Sequence, residues 1–383
     1  MAGKCVLGDF RLIRPTYTAD HRASLQWLSQ AHAQSEAVTQ VGTVFDKEGF
    51  RQSMEKFIAR YGCSPENLAR RGHDLEDILH RDWSAMRIFN LEKDPAGAGM
   101  EARMELFAEV ADRAADGFYL GAGEPPDEII HVTCTGYTAP SAVQKLVSRR
   151  GWHEKVGVTH AYHMGCYAAM PAVKIATGYL ASRPASSARV DILHTEMCTL
   201  HLDPSRHEPE QLVVQSLFSD GHIRYSVRPE ASDRPGLEFL AVHEELVPDS
   251  LDAMEWNLGD RGMRMTLARN VPDLIASSLR SFLLRLLSKA GQEPAEVLRN
   301  GIFAVHPGGP RIIDKVAEML ELAPARVEAS RGILRDYGNM SSATLPHIWS
   351  RILADAAVPS GALIVSLAFG PGLTIYGALL RKL

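Results

Sequence analysis

The sequence of 383 residues has few cysteines, no long apolar run and no excess of positive charge. Its five cysteines include no Cys-x-x-Cys pair, which argues against a disulfide framework or a cysteine-rich zinc site. Because no apolar run reaches the length that spans a bilayer, we expect no membrane partner. The net charge of -5 gives no general attraction to nucleic acid or anionic lipid, so we expect neither as a partner.

The composition indicates an ordinary globular protein. Hydrophobic residues make up 45% and charged residues 23% of the chain, which is long enough for a large core or for two fused domains. The N-terminal segment has no signal-peptide pattern, so we expect a cytoplasmic protein whose thiols stay reduced. A catalytic thiolate can persist in that compartment.

Two small clusters of basic or metal-binding side chains need an interpretation. Arg70, Arg71 and His73 are interpreted as a solvated face, with contact to a phosphate as the alternative. His160 and His163 have no carboxylate arrangement of the HExxH kind, so we interpret them as solvated or core histidines and expect no metal site.

The order of the elements favours an α/β fold made of two similar halves. A β-like run at Cys5–Arg14 is followed by helical periodicity over about 19–113. Strands and helices then alternate, which predicts parallel pairing with helices on both faces of the sheet. The charged, proline-rich segment Arg228–Gly236 is the expected boundary, giving halves of residues 1–235 and 236–383. Since the second half repeats the alternation, we predict a duplicated, layered α/β/α/β/α architecture.

Cys166 is the candidate nucleophile. Gly165 allows a sharp turn before it, and an apolar helical pattern continues to Leu180, so Cys166 is expected at a helix N-terminus. Unpaired N–H groups and the positive end of the helix dipole stabilise a thiolate there. The alternative is a structural cysteine in a core helix, because free cysteine is among the most buried residue types.

Two polar residues at strand-to-helix turns are its candidate partners. His306 follows the buried strand Gly301–Val305, where a structural histidine is the alternative. Asn339 precedes a helix, and alone it would be a turn or capping residue. The three residues together suit thioester chemistry. The sulfur takes an acyl group, with a nearby imidazolium favouring the thiolate, and His306 and Asn339 donate to the carbonyl of a second thioester as it becomes an enolate.

Four motifs carry a family resemblance: Gly165-Cys166, Phe303–Pro310, Tyr337–Ser342 and Phe369–Leu373. Together they resemble type III polyketide synthases, the chalcone-synthase-like branch of the thiolase superfamily. Related ketoacyl-carrier-protein synthases share the Cys-His-Asn set but not the residue sequence of the second and third motifs. The resemblance implies a homodimer of duplicated thiolase folds. It implies no bound cofactor, with acyl groups delivered on coenzyme A or on the phosphopantetheine of an acyl carrier protein.

The resemblance also assigns catalytic and cavity residues. It makes Cys166 the acyl-accepting nucleophile and His306 and Asn339 the pair that polarises the extender carbonyl. The substrate-binding residues it implies are Phe218 as gatekeeper, Glu196 as the acid behind the site, Ser341, and Gly370, Pro371 and Gly372 as the loop shaping the cavity wall. Without the resemblance, Phe218 would be a core aromatic and Glu196 a charged residue oddly placed in an apolar strand.

Three departures from the family pattern change the expected cavity. His201 stands where plant members carry a small hydroxyl residue and Trp256 where they often have glycine, so both add bulk. Ala139 replaces a methionine that crosses the dimer interface and removes bulk there. We therefore expect few condensations and closure to a small lactone, with a long acyl arm lodged elsewhere.

These features suggest the subgroup that resembles the α-pyrone-forming ketosynthases of myxobacterial antibiotic pathways, of the myxopyronin and corallopyronin type. The expected activity is an acyltransferase reaction that joins two carrier-bound β-ketoacyl chains and lactonises the product. The alternative enzyme is an iterative synthase that extends a fatty acyl starter with malonyl-coenzyme A to alkylpyrones or alkylresorcinols. A non-catalytic thiolase-fold partner is disfavoured, because it has no physical need for all three polar residues.

Overall fold

The computed structural model describes residues 5–40, 42, 44–121, 123–183, 187–229 and 235–383. Within these residues the chain forms eleven α-helices and thirteen β-strands. The helices are α1 (His21–Thr39), α2 (Lys47–Tyr61), α3 (Met100–Phe118), α4 (Ala142–Arg149), α5 (Ala169–Ser182), α6 (Pro209–Leu217), α7 (Val271–Lys289), α8 (Pro294–Asn300), α9 (Pro310–Met319), α10 (Glu328–Tyr337) and α11 (Thr344–Ala354). The strands are β1 (Cys5–Ile13), β2 (Tyr17–Asp20), β3 (Arg70–His73), β4 (Glu128–Thr133), β5 (Gly157–Tyr162), β6 (Val190–Met197), β7 (Asp220–Pro229), β8 (Leu237–Leu246), β9 (Met254–Gly259), β10 (Gly262–Leu267), β11 (Ile302–Val305), β12 (Leu363–Gly370) and β13 (Thr374–Lys382).

Nine of the described strands form one mixed sheet in the order β11-β12-β13-β8-β1-β7-β6-β4-β5. The pairs β4–β5, β4–β6 and β11–β12 are parallel, and the other pairs are antiparallel. The prediction of parallel pairing is therefore right for the outer strands and wrong for the centre. One cause is the short connection between β12 and β13, which can only join antiparallel neighbours.

The sheet repeats itself outward from the central pair β1–β8. On one side β1 is antiparallel to β7, β7 is antiparallel to β6, and β6 is parallel to β4. On the other side β8, β13, β12 and β11 follow the same sequence of directions. The predicted duplicated α/β architecture is thus confirmed. Residues 230–234 of the expected boundary lie outside the described residues, and the division at residue 235 stays a prediction.

The innermost helices, α5 and α11, bring the two halves together. Met170 and Val173 of α5 belong to the same buried apolar cluster as Leu345 and Trp349 of α11. A helix that is apolar on most sides is stable only when it is buried, and each such side chain contributes about 1.5–3 kcal/mol on burial. Because α5 leads into β6 and α11 into the equivalent β12, the two helices correspond, and their N-terminal turns carry the motifs singled out above.

The N-terminal region contains a correction to the sequence analysis. The small antiparallel pair β2–β3 interrupts the predicted helical stretch. Arg71 is only 4% exposed and its Nε donates to the carbonyl oxygen of Phe218 at 3.0 Å. His73 is buried as well, so the interpretation of Arg70, Arg71 and His73 as a solvated face is wrong except for Arg70. Among the described helices, none has the length and apolar character required to cross a bilayer.

Candidate active site

Cys166 lies in the turn that precedes α5, as predicted. Gly165 has φ +77°, and a Cβ built there would lie 2.6 Å from Cδ of Pro371, so the position excludes any side chain. The thiol of Cys134 fixes the same residue, because its sulfur accepts from the N–H of Gly165 at 3.1 Å and donates to its carbonyl at 3.4 Å. These contacts hold the buried Cys166 at the N-terminal end of the helix.

Asn339 lies in the turn that follows α10. Its backbone N–H donates to Leu217 at 3.1 Å and its carbonyl accepts from Ser219 at 2.8 Å, which binds this turn to the chain on both sides of Phe218. Its side-chain Oδ1 accepts from the N–H of Ser341 at 2.9 Å and from the hydroxyl of Thr344 at 3.4 Å. The amide NH₂ remains as the group that can donate to a ligand. Asn339 therefore stabilises its own turn through Oδ1, and its NH₂ group can donate to a ligand.

His306 follows β11, and its N–H continues the ladder by donating to Leu367 at 2.8 Å. The residue is 1% exposed, and both ring nitrogens lack a hydrogen-bond partner. Burial lowers the pKa of His306 to about 3, so the ring is neutral near neutral pH and offers one N–H donor and one acceptor. Buried polar atoms without partners are rare in proteins, and here they indicate a place for a polar ligand.

A contact connects the turn of Cys166 to that of Asn339, and the turn after His306 lies near Leu217. Sγ of Cys166 lies 3.9 Å from Oγ of Ser341, which follows Asn339. A Cβ built at Gly309, in the turn after His306, would lie 3.9 Å from Leu217, the residue that binds Asn339. Burial raises the pKa of Cys166 to about 12. Because both Cys166 and His306 favour their neutral forms, the structure does not support the expected imidazolium beside a thiolate.

Glu196 lies behind these turns, fully buried in β6. Its carboxylate accepts from the N–H of Cys134 at 3.0 Å and the hydroxyl of Thr135 at 2.7 Å, and also from the hydroxyl of Ser342. Burial raises its pKa, and these donors oppose the shift. The carboxylate thus ties the end of β4 to the turn before α11.

A cavity of about 20 Å³ adjoins the nucleophile. Phe218, His201 and Trp256 line it, where the resemblance implies a substrate cavity. The sequence analysis did not identify the other lining residues, which are Cys198, Leu202, Gln211, Val214, Gln215, Met263 and Met265. Cys166 belongs to one buried cluster with Cys198, Phe218 and Met265, and these three residues also line the cavity. A cavity of this size holds about one water molecule.

The lining residues lie at regular spacings. Gln211, Val214, Gln215 and Phe218 follow one face of α6 and its end, at the i, i+3, i+4, i+7 spacing. Met265 pairs with Trp256 across the β9–β10 hairpin. Helical periodicity leading to Phe218 and alternation around Trp256 are the sequence signals that would have found these residues.

His201 and Trp256 are held rigidly as walls of the cavity. Nδ1 of His201 accepts from the N–H of Met263 at 3.1 Å, so Nε2 carries the proton and donates to the carbonyl of Thr135 at 2.8 Å. Burial lowers the pKa of His201 to about 3. Nε1 of Trp256 donates to the carbonyl of Cys134 at 2.7 Å. With these polar atoms engaged, both side chains restrict space and do not act as acids or bases.

The remaining residues of the implied site lie outside the small cavity. Ala139 is exposed and precedes a cis bond to Pro140. Gly370, Pro371 and Gly372 connect β12 to β13 and contact the nucleophile turn, since a Cβ at Gly370 would lie 2.5 Å from Tyr167. This loop supports the turn that carries Cys166.

Known structures with the same architecture define the fold class. PKS-I from the brown alga Ectocarpus siliculosus superposes with a TM-score of 0.83 at 20% identity, covering 100% of this chain and 99% of that one. The C-terminal type III polyketide synthase domain of Steely1, a type I/III hybrid from Dictyostelium, gives a TM-score of 0.83 at 21% identity, covering 99% of each chain. The fold is therefore thiolase-like.

Sequence comparison identifies the family. The family profiles described as chalcone and stilbene synthases match over residues 96–227 for the N-terminal domain and 238–383 for the C-terminal domain. Type III polyketide synthase C of Arabidopsis thaliana is 30% identical over 268 residues, 68% of this chain and 69% of that protein. Bisdemethoxycurcumin synthase of Oryza sativa subsp. japonica is 30% identical over 336 residues, 83% of this chain and 81% of that protein. The chain belongs to the chalcone and stilbene synthase-like type III polyketide synthase family, and is accordingly an acyltransferase of the Claisen-type ketosynthase class.

Proposed function

We propose that this ketosynthase joins two β-ketoacyl thioesters and closes the product to an α-pyrone in the biosynthesis of a polyketide antibiotic. The observation that carries the proposal is that two bulky side chains, His201 and Trp256, line the cavity next to the buried cluster that contains Cys166. Bulk at these two positions occupies room that a long polyketide would need in order to fold into an aromatic ring, whereas joining two chains needs only one condensation and its acyl arms can lie outside this cavity. Few condensations and a compact product suit this geometry best.

The first step loads the nucleophile. The sulfur of Cys166 attacks the carbonyl carbon of a β-ketoacyl thioester, a new C–S bond forms, and the carrier thiol leaves with the proton that Cys166 gives up. The amide of Asn339 and the neutral ring of His306 can donate to the carbonyl oxygen as charge develops on it. A preorganised donor of this kind contributes about 3 kcal/mol to a transition state.

The second step forms the carbon–carbon bond. The α-carbon of a second β-ketoacyl thioester, which is acidic because it lies between two carbonyls, loses a proton and becomes an enolate that His306 and Asn339 stabilise. It attacks the acyl carbon on Cys166, the C–S bond breaks, and the released sulfur takes up one proton, which balances the proton lost by the α-carbon. The enol oxygen of the terminal ketone then attacks the remaining thioester, and the second carrier thiol leaves as the lactone ring closes.

We further propose that the acyl groups arrive on coenzyme A or on the phosphopantetheine of an acyl carrier protein, and that the chain binds no other cofactor. The proposed assembly is a cytoplasmic homodimer with no nucleic-acid or membrane partner. Strand β5 supports the dimer, because it ends the described sheet with mostly accessible residues, and proteins usually cover such an edge. The exposed position of Ala139 fits the same interface.

Product analysis tests the proposal. The protein is incubated with two different β-ketoacyl thioesters, on coenzyme A and on carrier protein in parallel, and products are identified by mass spectrometry. We expect pyrones that combine both chains without loss of carbon dioxide, and none from Cys166→Ala. A series of products lengthened by successive malonyl units, formed from malonyl-coenzyme A and a fatty acyl starter, would overturn the proposal in favour of an iterative synthase.

A further inference from the structure

Ser341 combines an unfavourable backbone conformation with a buried position next to the nucleophile. In the described chain the non-glycine residues with positive φ are Asp9, His163, Asp249, Glu321 and Ser341. The first four are exposed, whereas Ser341 is 5% exposed and has φ +48°. Steric contact of Cβ disfavours this region for every residue except glycine. Such conformations persist where the surroundings hold them, and they cluster at functional sites.

The turn around Ser341 is held on both sides. Its N–H donates to Oδ1 of Asn339 at 2.9 Å, and its carbonyl accepts from the N–H of Thr344. The next residue, Ser342, donates to the buried carboxylate of Glu196. Glycine would adopt this conformation without strain, so folding alone does not require a serine here.

Unlike glycine, Ser341 has a hydroxyl group next to the candidate nucleophile. Its Oγ lies 3.9 Å from Sγ of Cys166, and no other side chain among the described residues is within hydrogen-bonding reach of that sulfur. Burial raises the pKa of Cys166 to about 12, and the hydroxyl of Ser341 opposes that rise. An O–H donor at this position stabilises the charged form of the thiol relative to the neutral form.

We propose that the hydroxyl of Ser341 donates a hydrogen bond to the Cys166 sulfur and stabilises it as a thiolate, and that the left-handed backbone of Ser341 is retained to hold the hydroxyl there. The proposal rests on the proposed role of Cys166 as the nucleophile. When the thiolate forms, the thiol proton passes to water or, in the loading step, to the departing carrier thiol, and Ser341 keeps its own proton throughout. Ser341 acts through Cys166 and is therefore a positioning residue.

Two substitutions separate the hydroxyl from the strain. Ser341→Ala removes the hydroxyl and keeps Cβ, whereas Ser341→Gly removes both. Alkylation of Cys166 by iodoacetamide is followed over a range of pH, with peptide mapping because the chain has five cysteines. We expect both variants to react about tenfold more slowly than wild type at a given pH, which displaces the rate profile by about one pH unit. We expect only Ser341→Gly to raise the melting temperature, by roughly 2 °C.

Glu321→Gly is the matched control, since Glu321 is exposed at φ +53°. It should raise the melting temperature without changing the alkylation of Cys166. Equal rates in wild type and both Ser341 variants would overturn the proposal. The proposal would also be overturned if Cys166 were alkylated slowly in Ser341→Ala but at the wild-type rate in Ser341→Gly, because backbone strain and not the hydroxyl would then control the rate. If Ser341→Ala fails to fold, the rate of Ser341→Gly decides. In contrast, failure of the proposed function would appear as no acyl group on wild-type Cys166.

Discussion

The two halves of the sheet position their inner helices in the same way but use different residues in the turns before them. The turn before α5 places Gly165 at positive φ, where a Cβ would collide with Pro371. The turn before α11 places Ser341 at positive φ, and there the side chain reaches the sulfur of Cys166. Steric exclusion by Pro371 therefore requires glycine at position 165, whereas we infer that the hydrogen bond to the sulfur requires a hydroxyl group at position 341.

His131 and His306 also differ between a structural role and a role at the site. His131 lies in β4, and both its ring nitrogens are bonded, Nε2 to Thr195 and Nδ1 to Tyr162, at 2.8 and 2.7 Å. His306 follows the equivalent strand β11, and among the buried histidines of the described chain it alone has both nitrogens without partners. Burial lowers the pKa of each to about 3. The first histidine completes a structural network, and the second leaves its polar atoms for substrate.

The largest effect is expected from Gly165→Ala. The substitution forces a non-glycine residue into the left-handed region, which costs about 1–2 kcal/mol, and adds a Cβ at 2.6 Å from Pro371 Cδ. With the overpacking included, we expect a loss of about 3 kcal/mol in the free energy of unfolding, measured by urea denaturation. Acyl loading of Cys166 should fall as well, because the turn that carries it must shift.

Gly178→Ala is the control, since Gly178 lies in α5 and a Cβ built there would have no heavy atom within 4 Å. It should raise the free energy of unfolding by about 1 kcal/mol. Adding Pro371→Ala to Gly165→Ala should restore the part of the loss that comes from the collision. A Gly165→Ala protein as stable as wild type would refute the claim that space determines this residue.

Smaller effects are expected when His131 and His306 are each replaced by leucine, and the two substitutions should differ in the sign of their effect on stability. His131→Leu leaves the hydroxyls of Thr195 and Tyr162 without their partner and should cost about 2 kcal/mol in the free energy of unfolding. His306→Leu removes two unpaired polar atoms and should leave stability unchanged or raise it by about 1 kcal/mol. The same variant should load Cys166 more slowly than wild type, because one donor to the carbonyl oxygen is lost, and should form no condensation product. If both substitutions destabilise the protein equally, His306 has a structural role like that of His131.

The sequence was informative about local structure. The predicted strands at Cys5–Arg14 and Gly301–Val305 agree to within one residue with β1 and β11, because short apolar runs leave local patterns. The antiparallel centre of the sheet and the pair β2–β3 were missed, since they depend on contacts between distant residues. Burial of Arg71 was missed for the same reason, because its hydrogen-bond partner Phe218 lies 147 positions away in the sequence.

The candidate site shows a similar limit. The family motifs pointed to Cys166, Asn339 and His306. The structure brings the turns of Cys166 and Asn339 into contact and places the turn after His306 near Leu217, which binds Asn339. The strain at Ser341 could not be predicted, since φ at a serine is decided by the packing around it. The neutral state of Cys166 and His306 could not be predicted either, because it follows from burial and not from the residue types.

Intact-protein mass spectrometry tests most directly whether Cys166 carries the acyl chain. Wild-type protein and Cys166→Ala are incubated with one β-ketoacyl thioester on coenzyme A and, separately, on carrier protein, and the modified peptide is mapped. We expect wild type to gain the mass of one acyl group on Cys166 and the variant to gain none. An acyl group retained by Cys166→Ala, or a wild-type protein that gains no mass from either carrier, would contradict that role.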